Sequence, residues 1–149
     1  MTRYYLETTV FAYLALSMDE RWHHAAAIIK AMQEGAFVGV TSFVTFEELV
    51  FLVLKNKGRE AAMEAGRNFL MMGNLEIVNA TRDTANLTVE AMEQVRLMPR
   101  DAIHYAVAKE RGLEAMVTED RDFNKAREIR KYGMKAFVEK IGVDTKAGP

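Results

Sequence analysis

The chain has 149 residues, half of them hydrophobic, which is enough for one domain with a substantial core. Twenty basic and 21 acidic residues leave a formal net charge of −1, which excludes a strongly basic nucleic-acid coat protein but allows a local basic groove. Disulfides and thiolate metal sites are excluded because the sequence has no cysteine. We expect a single domain over residues 1–149 in the cytoplasm, since no apolar run approaches the roughly 20 residues of a membrane span.

The first part of the chain alternates strand-like runs with helical patterns. An aromatic run at residues 3–6 predicts a buried strand, and a helix is predicted over residues 10–16. Apolar residues at the helical spacing i, i+3, i+4 and i+7 begin at Trp22, and Gly35 is expected to end that second helix. A β-branched run at residues 37–41 predicts the second strand.

The middle of the chain continues this alternation. Ser42 is expected to cap a helix that carries two adjacent glutamates. A turn is predicted at residues 55–58, before another helix, and residues 75–78 predict the third strand. Two helices follow, the second of which is expected to begin at Pro99, because proline is well tolerated in a first helical turn.

The last part of the chain completes an α/β pattern. Gly112 is expected to end the preceding helix, and residues 115–118 predict a fourth strand. A short helix is predicted over residues 122–131 and a fifth strand over residues 135–138. Strands that alternate with helices indicate a parallel sheet covered by helices on both faces, so the predicted fold class is a three-layer α/β/α domain with a parallel five-stranded sheet.

Acidic residues follow the predicted strands at the ends where such sheets bind ligands. Glu7 comes directly after the first strand, Glu48 lies in the helix after the second, and Asp101 lies in the first turn of the Pro99 helix. Asp120 and Asp122 follow the fourth strand. Carboxylates brought together repel one another, and a divalent cation relieves that repulsion. Oxygen ligands without thiols favour Mg²⁺ or Mn²⁺, which activate water and neutralise a phosphodiester under attack.

Four segments spread over nearly the whole chain contain these acids. They are Tyr-Leu-Glu-Thr-Thr at residues 5–9, Ser-Phe-Val-Thr-Phe-Glu-Glu-Leu at 42–49, Pro-Arg-Asp-Ala-Ile-His-Tyr-Ala at 99–106 and Val-Thr-Glu-Asp-Arg-Asp-Phe at 117–123. Together the four segments resemble the PIN domain family and in particular its VapC-like toxin ribonucleases. The resemblance implies a metal-dependent endoribonuclease, commonly the toxin of a toxin–antitoxin pair. It also implies an RNA substrate, an antitoxin partner and a homodimer.

The same resemblance assigns roles to individual residues. It implies that the catalytic residues are Glu7, Glu48, Asp101 and Asp120. The expected ligands of Mg²⁺ or Mn²⁺ are Glu7, Asp101, Asp120 and Asp122, and the supporting residues are Thr9 and Thr118. The chain departs from the family at Glu7, where aspartate is usual. Its extra methylene moves the carboxylate by about 1.5 Å, so a catalytically weak or inactive PIN domain that binds protein or RNA is the alternative function.

Some of these acids also have a purely structural interpretation. An acid in a first helical turn, such as Asp101, interacts favourably with the helix dipole without any metal. Asp120 or Asp122 could cap the following helix. His104, one turn after Asp101, is expected to pack or to hydrogen-bond rather than to act in catalysis.

A basic stretch follows the last acids. Six basic residues stand against two acids between Arg121 and Lys135, and Arg121 and Lys125 are the candidate RNA-binding residues. A solvated helix face explains the same charges equally well.

Overall fold

The computed structural model describes residues 1–145. In this part of the chain the strands are β1 Arg3–Leu6, β2 Val38–Ser42, β3 Leu75–Val78, β4 Ala115–Val117 and β5 Arg130–Tyr132. The α-helices are α1 Thr8–Leu16, α2 Glu20–Gln33, α3 Phe43–Lys57, α4 Arg59–Leu70, α5 Arg82–Gln94, α6 Pro99–Glu110 and α7 Met134–Ile141, and a 3₁₀ helix spans Arg121–Lys125. None of the helices described has the length and apolar character that crossing a bilayer requires.

The five strands form one parallel sheet in the order β3-β2-β1-β4-β5. Strands β2 and β3 therefore lie on one side of β1, and β4 and β5 lie on its other side. Ligands bind in open parallel sheets where the order reverses in this way, outside the carboxyl ends of the strands. The junction of β1 and β4 is that point in this sheet.

Helices cover both faces of the sheet, which confirms the predicted three-layer α/β/α fold. Successive residues of a strand point to opposite faces, and the core follows this rule at Tyr5 and Leu6. Leu6 packs in a core formed with α1, α2, α3, α4 and α7. Tyr5 packs in a second core formed mainly with α5, α6 and the 3₁₀ helix. The two cores fix β1 in the centre of the sheet.

The predictions for the last part of the chain were wrong in two places. The helix expected over residues 122–131 is only the 3₁₀ turn Arg121–Lys125, and the fifth strand is Arg130–Tyr132. The segment expected to be that strand lies in α7, because Met134, Phe137 and Val138 are buried at helical rather than alternate spacing. The charged strand Arg130–Tyr132 is tolerated because it lies at the edge of the sheet.

The turn predicted at residues 55–58 is also shorter than expected. Helix α3 continues to Lys57, and α4 begins at Arg59, so that Gly58 alone separates the two helices. Gly58 has a φ of 90°, a conformation that side-chain-bearing residues rarely adopt. Its backbone N–H still donates to the carbonyl of Leu54, which ends α3 without a longer loop.

Candidate functional site

Acidic side chains meet at the carboxyl ends of β1 and β4, at the reversal point of the sheet. Glu7 directly follows β1, and Asp120 lies just beyond β4. Asp122 lies in the 3₁₀ helix that begins after Asp120, and Asp101 lies in the first turn of α6. Residues distant in sequence are therefore brought together because parallel strands end at one edge of the sheet.

Glu7 is anchored at this edge by three hydrogen bonds, all of which end on one carboxylate oxygen. Its Oε1 accepts from the backbone N–H of Thr9 at 3.3 Å, the hydroxyl of Thr9 at 2.8 Å and the hydroxyl of Thr118 at 2.6 Å. The first of these bonds makes Glu7 the N-cap of α1, which begins at Thr8 rather than at the predicted Val10. Glu7 therefore has a structural role that the sequence interpretation overlooked, and it is only 4% exposed.

The two threonines also join the β1 and β4 loops. The hydroxyl of Thr9 accepts from the backbone N–H of Glu119 at 3.0 Å. The hydroxyl of Thr118 accepts from the backbone N–H of Asp120 at 3.0 Å. Each hydroxyl thus donates to Glu7 and accepts from the loop that carries Asp120, so the two loops are held in one relative position.

Three aspartates form what we call the acidic cluster: Asp101, Asp120 and Asp122. One carboxylate oxygen of each lies within 4.8 Å of the others, which is close enough for a single cation to contact all three. Asp101 and Asp120 are half-buried, and Asp122 is exposed. Asp120 also caps the 3₁₀ helix, because its Oδ1 accepts from the backbone N–H of Asp122 at 2.9 Å. Glu7 and Glu48 do not join the group at this spacing.

The electrostatic surroundings of Asp101 favour a bound cation. Burial raises the pKa of its carboxyl to about 6, and the negative charges of Asp120, Glu7 and Asp122 act in the same direction. His104 opposes this shift without cancelling it. A raised pKa means that negative charge is poorly compensated by the protein itself. The ligand set consists of carboxylate oxygens, which suits hard cations such as Mg²⁺ or Mn²⁺.

Glu48 lies in a hydrogen-bonded chain beside the cluster. Its Oε1 is 2.6 Å from Nε2 of His104 and accepts from the hydroxyl of Thr8 at 3.0 Å. Burial raises the pKa of Glu48, but the hydrogen bonds from His104 and Thr8 outweigh it and hold the pKa below its usual value. The neighbouring Glu47 is exposed and lies 3.7 Å from Arg100. The structure thus separates two adjacent glutamates into one half-buried and one solvated side chain.

Comparison with known proteins identifies this architecture. The sequence profile described as "PIN domain" matches residues 4–129 of the chain. The chain belongs to the PIN domain family. No curated protein matches it significantly.

Several solved structures share the fold. VapC20 of Mycobacterium tuberculosis, described as a sarcin–ricin loop cleaving toxin, is 22% identical with a TM-score of 0.68, over 82% of this chain and 93% of that one. DNA-bound VapBC of Salmonella typhimurium is 20% identical with a TM-score of 0.70, over 90% and 99%. VapBC2 of Rickettsia felis, bound to a promoter DNA fragment, is 18% identical with a TM-score of 0.68, over 89% and 98%.

The basic residues predicted to bind RNA in this PIN domain lie on the 3₁₀ helix next to the acidic cluster. Arg121 and Lys125 stand at its two ends, and both side chains are exposed. Neither forms an ion pair with an acidic residue in the described part of the chain. Their positions are compatible with contact to a polyanion, and the solvated alternative is equally compatible.

Sequence analysis missed two residues of this PIN site. Thr8 is buried and bonds to Glu48, although the motif was interpreted through Glu7 and Thr9 alone. Tyr5 was treated as a strand residue, yet its hydroxyl lies 2.6 Å from Nδ1 of His104. The sequence does contain a signal that His104 lies near the site. Residues three apart on a helix share one face, and His104 comes three residues after Asp101.

Proposed function

We propose that this PIN domain is a metal-dependent endoribonuclease and the toxin of a toxin–antitoxin pair. The observation that carries the proposal is the acidic cluster, whose three carboxylates lie within 4.8 Å of one another at the ligand-binding edge of the sheet. The raised pKa of Asp101 supports it, because burial and the negative charges of the neighbouring acids outweigh the opposing effect of His104. The reaction class is hydrolysis of an RNA phosphodiester.

The residues of the site have distinct roles in this proposal. Asp101, Asp120 and Asp122 would hold Mg²⁺ or Mn²⁺. Glu7 does not join them at the same spacing, but it would approach the ion with the carboxylate oxygen that the threonines do not occupy. A bound ion of this kind lowers the pKa of water and neutralises charge on the phosphate. Glu48, at the edge of the cluster, accepts a hydrogen bond from the attacking water or from the RNA.

The proposed partners follow from the charges and from the related structures. Arg121 and Lys125 contact the phosphates of an RNA substrate beside the cluster. VapC20 is described as cleaving the sarcin–ricin loop, and the Salmonella and Rickettsia structures are VapBC assemblies bound to DNA. We therefore propose an RNA substrate, a cognate antitoxin, a homodimer and a cytoplasmic location for this chain.

Asp101→Asn tests the proposal, with Asp83→Asn as its matched control. Both aspartates lie in the first turn of a helix, so both interact with a helix dipole, but only Asp101 belongs to the acidic cluster. We expect Asp101→Asn to abolish RNA cleavage and to weaken Mn²⁺ binding in calorimetry, whereas Asp83→Asn does neither. The variant should stay folded, because removing one charge relieves repulsion within the cluster.

Two outcomes would contradict the proposal. Equal Mn²⁺ affinity of wild type and Asp101→Asn would show that the cluster is not the metal site. Tight Mn²⁺ binding without cleavage of any RNA would favour the alternative of a protein- or RNA-binding module. The specific observation behind that alternative is Glu7, a glutamate where the family usually has aspartate, with one oxygen already engaged in capping α1.

A further inference from the structure

One side chain connects the buried core of the sheet to the edge of the acidic cluster. His104 lies on α6 one turn after Asp101 and is fully buried. Nε2 of its ring is 2.6 Å from Oε1 of Glu48, and Nδ1 is 2.6 Å from the hydroxyl of Tyr5. Both ring nitrogens are therefore engaged, and the ring can neither flip nor rotate without breaking a buried hydrogen bond.

The contact with Glu48 indicates which nitrogen of the ring carries the proton. An ionised carboxylate can only accept a hydrogen bond, so Nε2 of His104 is the donor in this contact. Nδ1 of the neutral ring is then an acceptor, and the phenol O–H of Tyr5 can donate to it. The hydrogen on one nitrogen of a histidine is commonly set by the bond that the other nitrogen makes.

The bonds from His104 and Thr8 leave Glu48 with one anchored and one available oxygen. Both donors reach Oε1, and no hydrogen bond from the described residues reaches Oε2. Holding a flexible glutamate in one orientation costs conformational entropy at the moment of reaction unless the fold has already fixed it. A donor that is itself buried and immobile fixes the carboxylate more effectively than an exposed side chain.

We infer that His104, held by Tyr5, is a positioning residue that fixes the orientation of Glu48 beside the acidic cluster. The inference rests on the proposed nuclease function for its catalytic consequence. Asp101 and His104 lie on the same face of α6, so one helix places a proposed metal ligand and the residue that orients Glu48. Tyr5 lies in β1, and Glu7 is the first residue after that strand. The same two elements, β1 and α6, therefore position both the acids of the site and the residues that orient Glu48.

The test compares His104→Leu, which removes the donor to Glu48, with His104→Gln, which keeps an N–H donor. We expect His104→Leu to lower kcat by roughly 10–100-fold, the usual cost of losing an outer-shell partner at a metal site. KM should change little. His104→Gln should recover most of the lost rate. Combining His104→Leu with Glu48→Gln should cost little more than Glu48→Gln alone, because residues in one network are not additive.

A control separates positioning from loss of stability. Thr88 donates a hydrogen bond to the carbonyl of Thr84 within α5, so Thr88→Val removes a buried polar contact outside the site. We expect that variant to lower stability without lowering kcat. The inference is overturned if His104→Leu cleaves RNA as fast as wild type. It is also overturned if the Gln and Leu variants lose equal activity, or if the double variant shows fully additive losses.

Nitrogen NMR of the histidine rings provides a readout that does not depend on cleavage, with His104→Gln used to assign the signals. We expect a proton on Nε2 of His104, a Nδ1 signal that moves in Tyr5→Phe, and a Nε2 signal that moves in Glu48→Gln. A ring protonated on Nδ1 alone would overturn the inference, because Nε2 could not then donate. If wild type cleaves no RNA with Mn²⁺, the proposed function fails, while these spectra still decide whether His104 orients Glu48.

Discussion

Two half-buried acids in this PIN domain have opposite electrostatic surroundings. Glu76 on β3 accepts from Arg3 at 2.6 Å and lies 3.1 Å from Arg111, so two cations compensate its charge. Asp101 on α6 is instead surrounded by acids, and its pKa is raised to about 6 by burial and by the charges of its neighbours. An acid between two bases is satisfied by the protein, whereas an acid among acids indicates that an external cation completes the site.

The comparison also shows why the number of acidic residues says little about a site. The chain has 21 acidic residues and a net charge close to zero, and several of its acids pair with bases. Glu128 pairs with Lys109, and Asp19 pairs with Arg21, both on the surface. The acidic cluster differs because the fold places its members within reach of one another, and none of the three forms an ion pair with another described residue.

Of the substitutions that test this contrast, Asp120→Ser is expected to have the largest effect, which is a loss of Mn²⁺ affinity. Serine is a good N-cap, so it should still accept the backbone N–H that Asp120 now accepts, and the 3₁₀ helix should persist. The carboxylate is lost, however, and Mn²⁺ affinity should fall by at least about 100-fold, since loss of an outer-shell partner alone costs 10–100-fold. Calorimetric titration with Mn²⁺ measures the affinity, and unchanged binding would place the ion elsewhere.

A smaller effect is expected in the pH dependence of stability without metal. The folded-state pKa of Asp101 is raised to about 6 from an unfolded value near 3.9. Between these values the folded state holds more protons than the unfolded state, so this carboxyl stabilises the fold at low pH, and that contribution is lost as the pH rises through about 6. After discounting for solvent screening, the loss is about 1 kcal/mol.

Urea unfolding of wild type and Asp101→Asn in EDTA, between pH 4 and pH 7, isolates this contribution. Other groups titrate in both proteins, so only the difference between their free energies of unfolding reports on Asp101. Wild type should lose stability relative to the variant as the pH rises. Parallel curves would show that Asp101 has compensating charge near it, as Glu76 has.

The smallest effect is expected for Glu76→Gln. The variant leaves Arg3 and Arg111 near each other without the shared carboxylate, and exposed pairs of this kind contribute about 0.5 kcal/mol each. Stability should fall by less than about 1 kcal/mol at low salt and by still less at high salt, because these side chains are partly exposed. Mn²⁺ affinity should not change. A change in Mn²⁺ affinity would mean that the two regions are electrostatically coupled.

Local patterns predicted most of the fold. The first four strands lie within a residue or so of their predicted positions, and α6 begins at Pro99 as expected. Hydrophobic patterns are informative there because the central strands and the helices that cover them bury apolar residues in the two cores. It failed after Asp122, where a polar edge strand has no buried face to reveal it and a short amphipathic helix was mistaken for a strand.

The sequence by itself determined the alternation of strands and helices and the acids that follow the strands, because both depend on neighbouring residues. Only the tertiary structure decided which acids come close enough to share an ion, and it selected Asp101, Asp120 and Asp122. It also decided that one oxygen of Glu7 caps α1, and that His104 joins Tyr5 to Glu48. The physical reason is that burial, distance and hydrogen-bond geometry between remote segments arise only when the strands are ordered in the sheet.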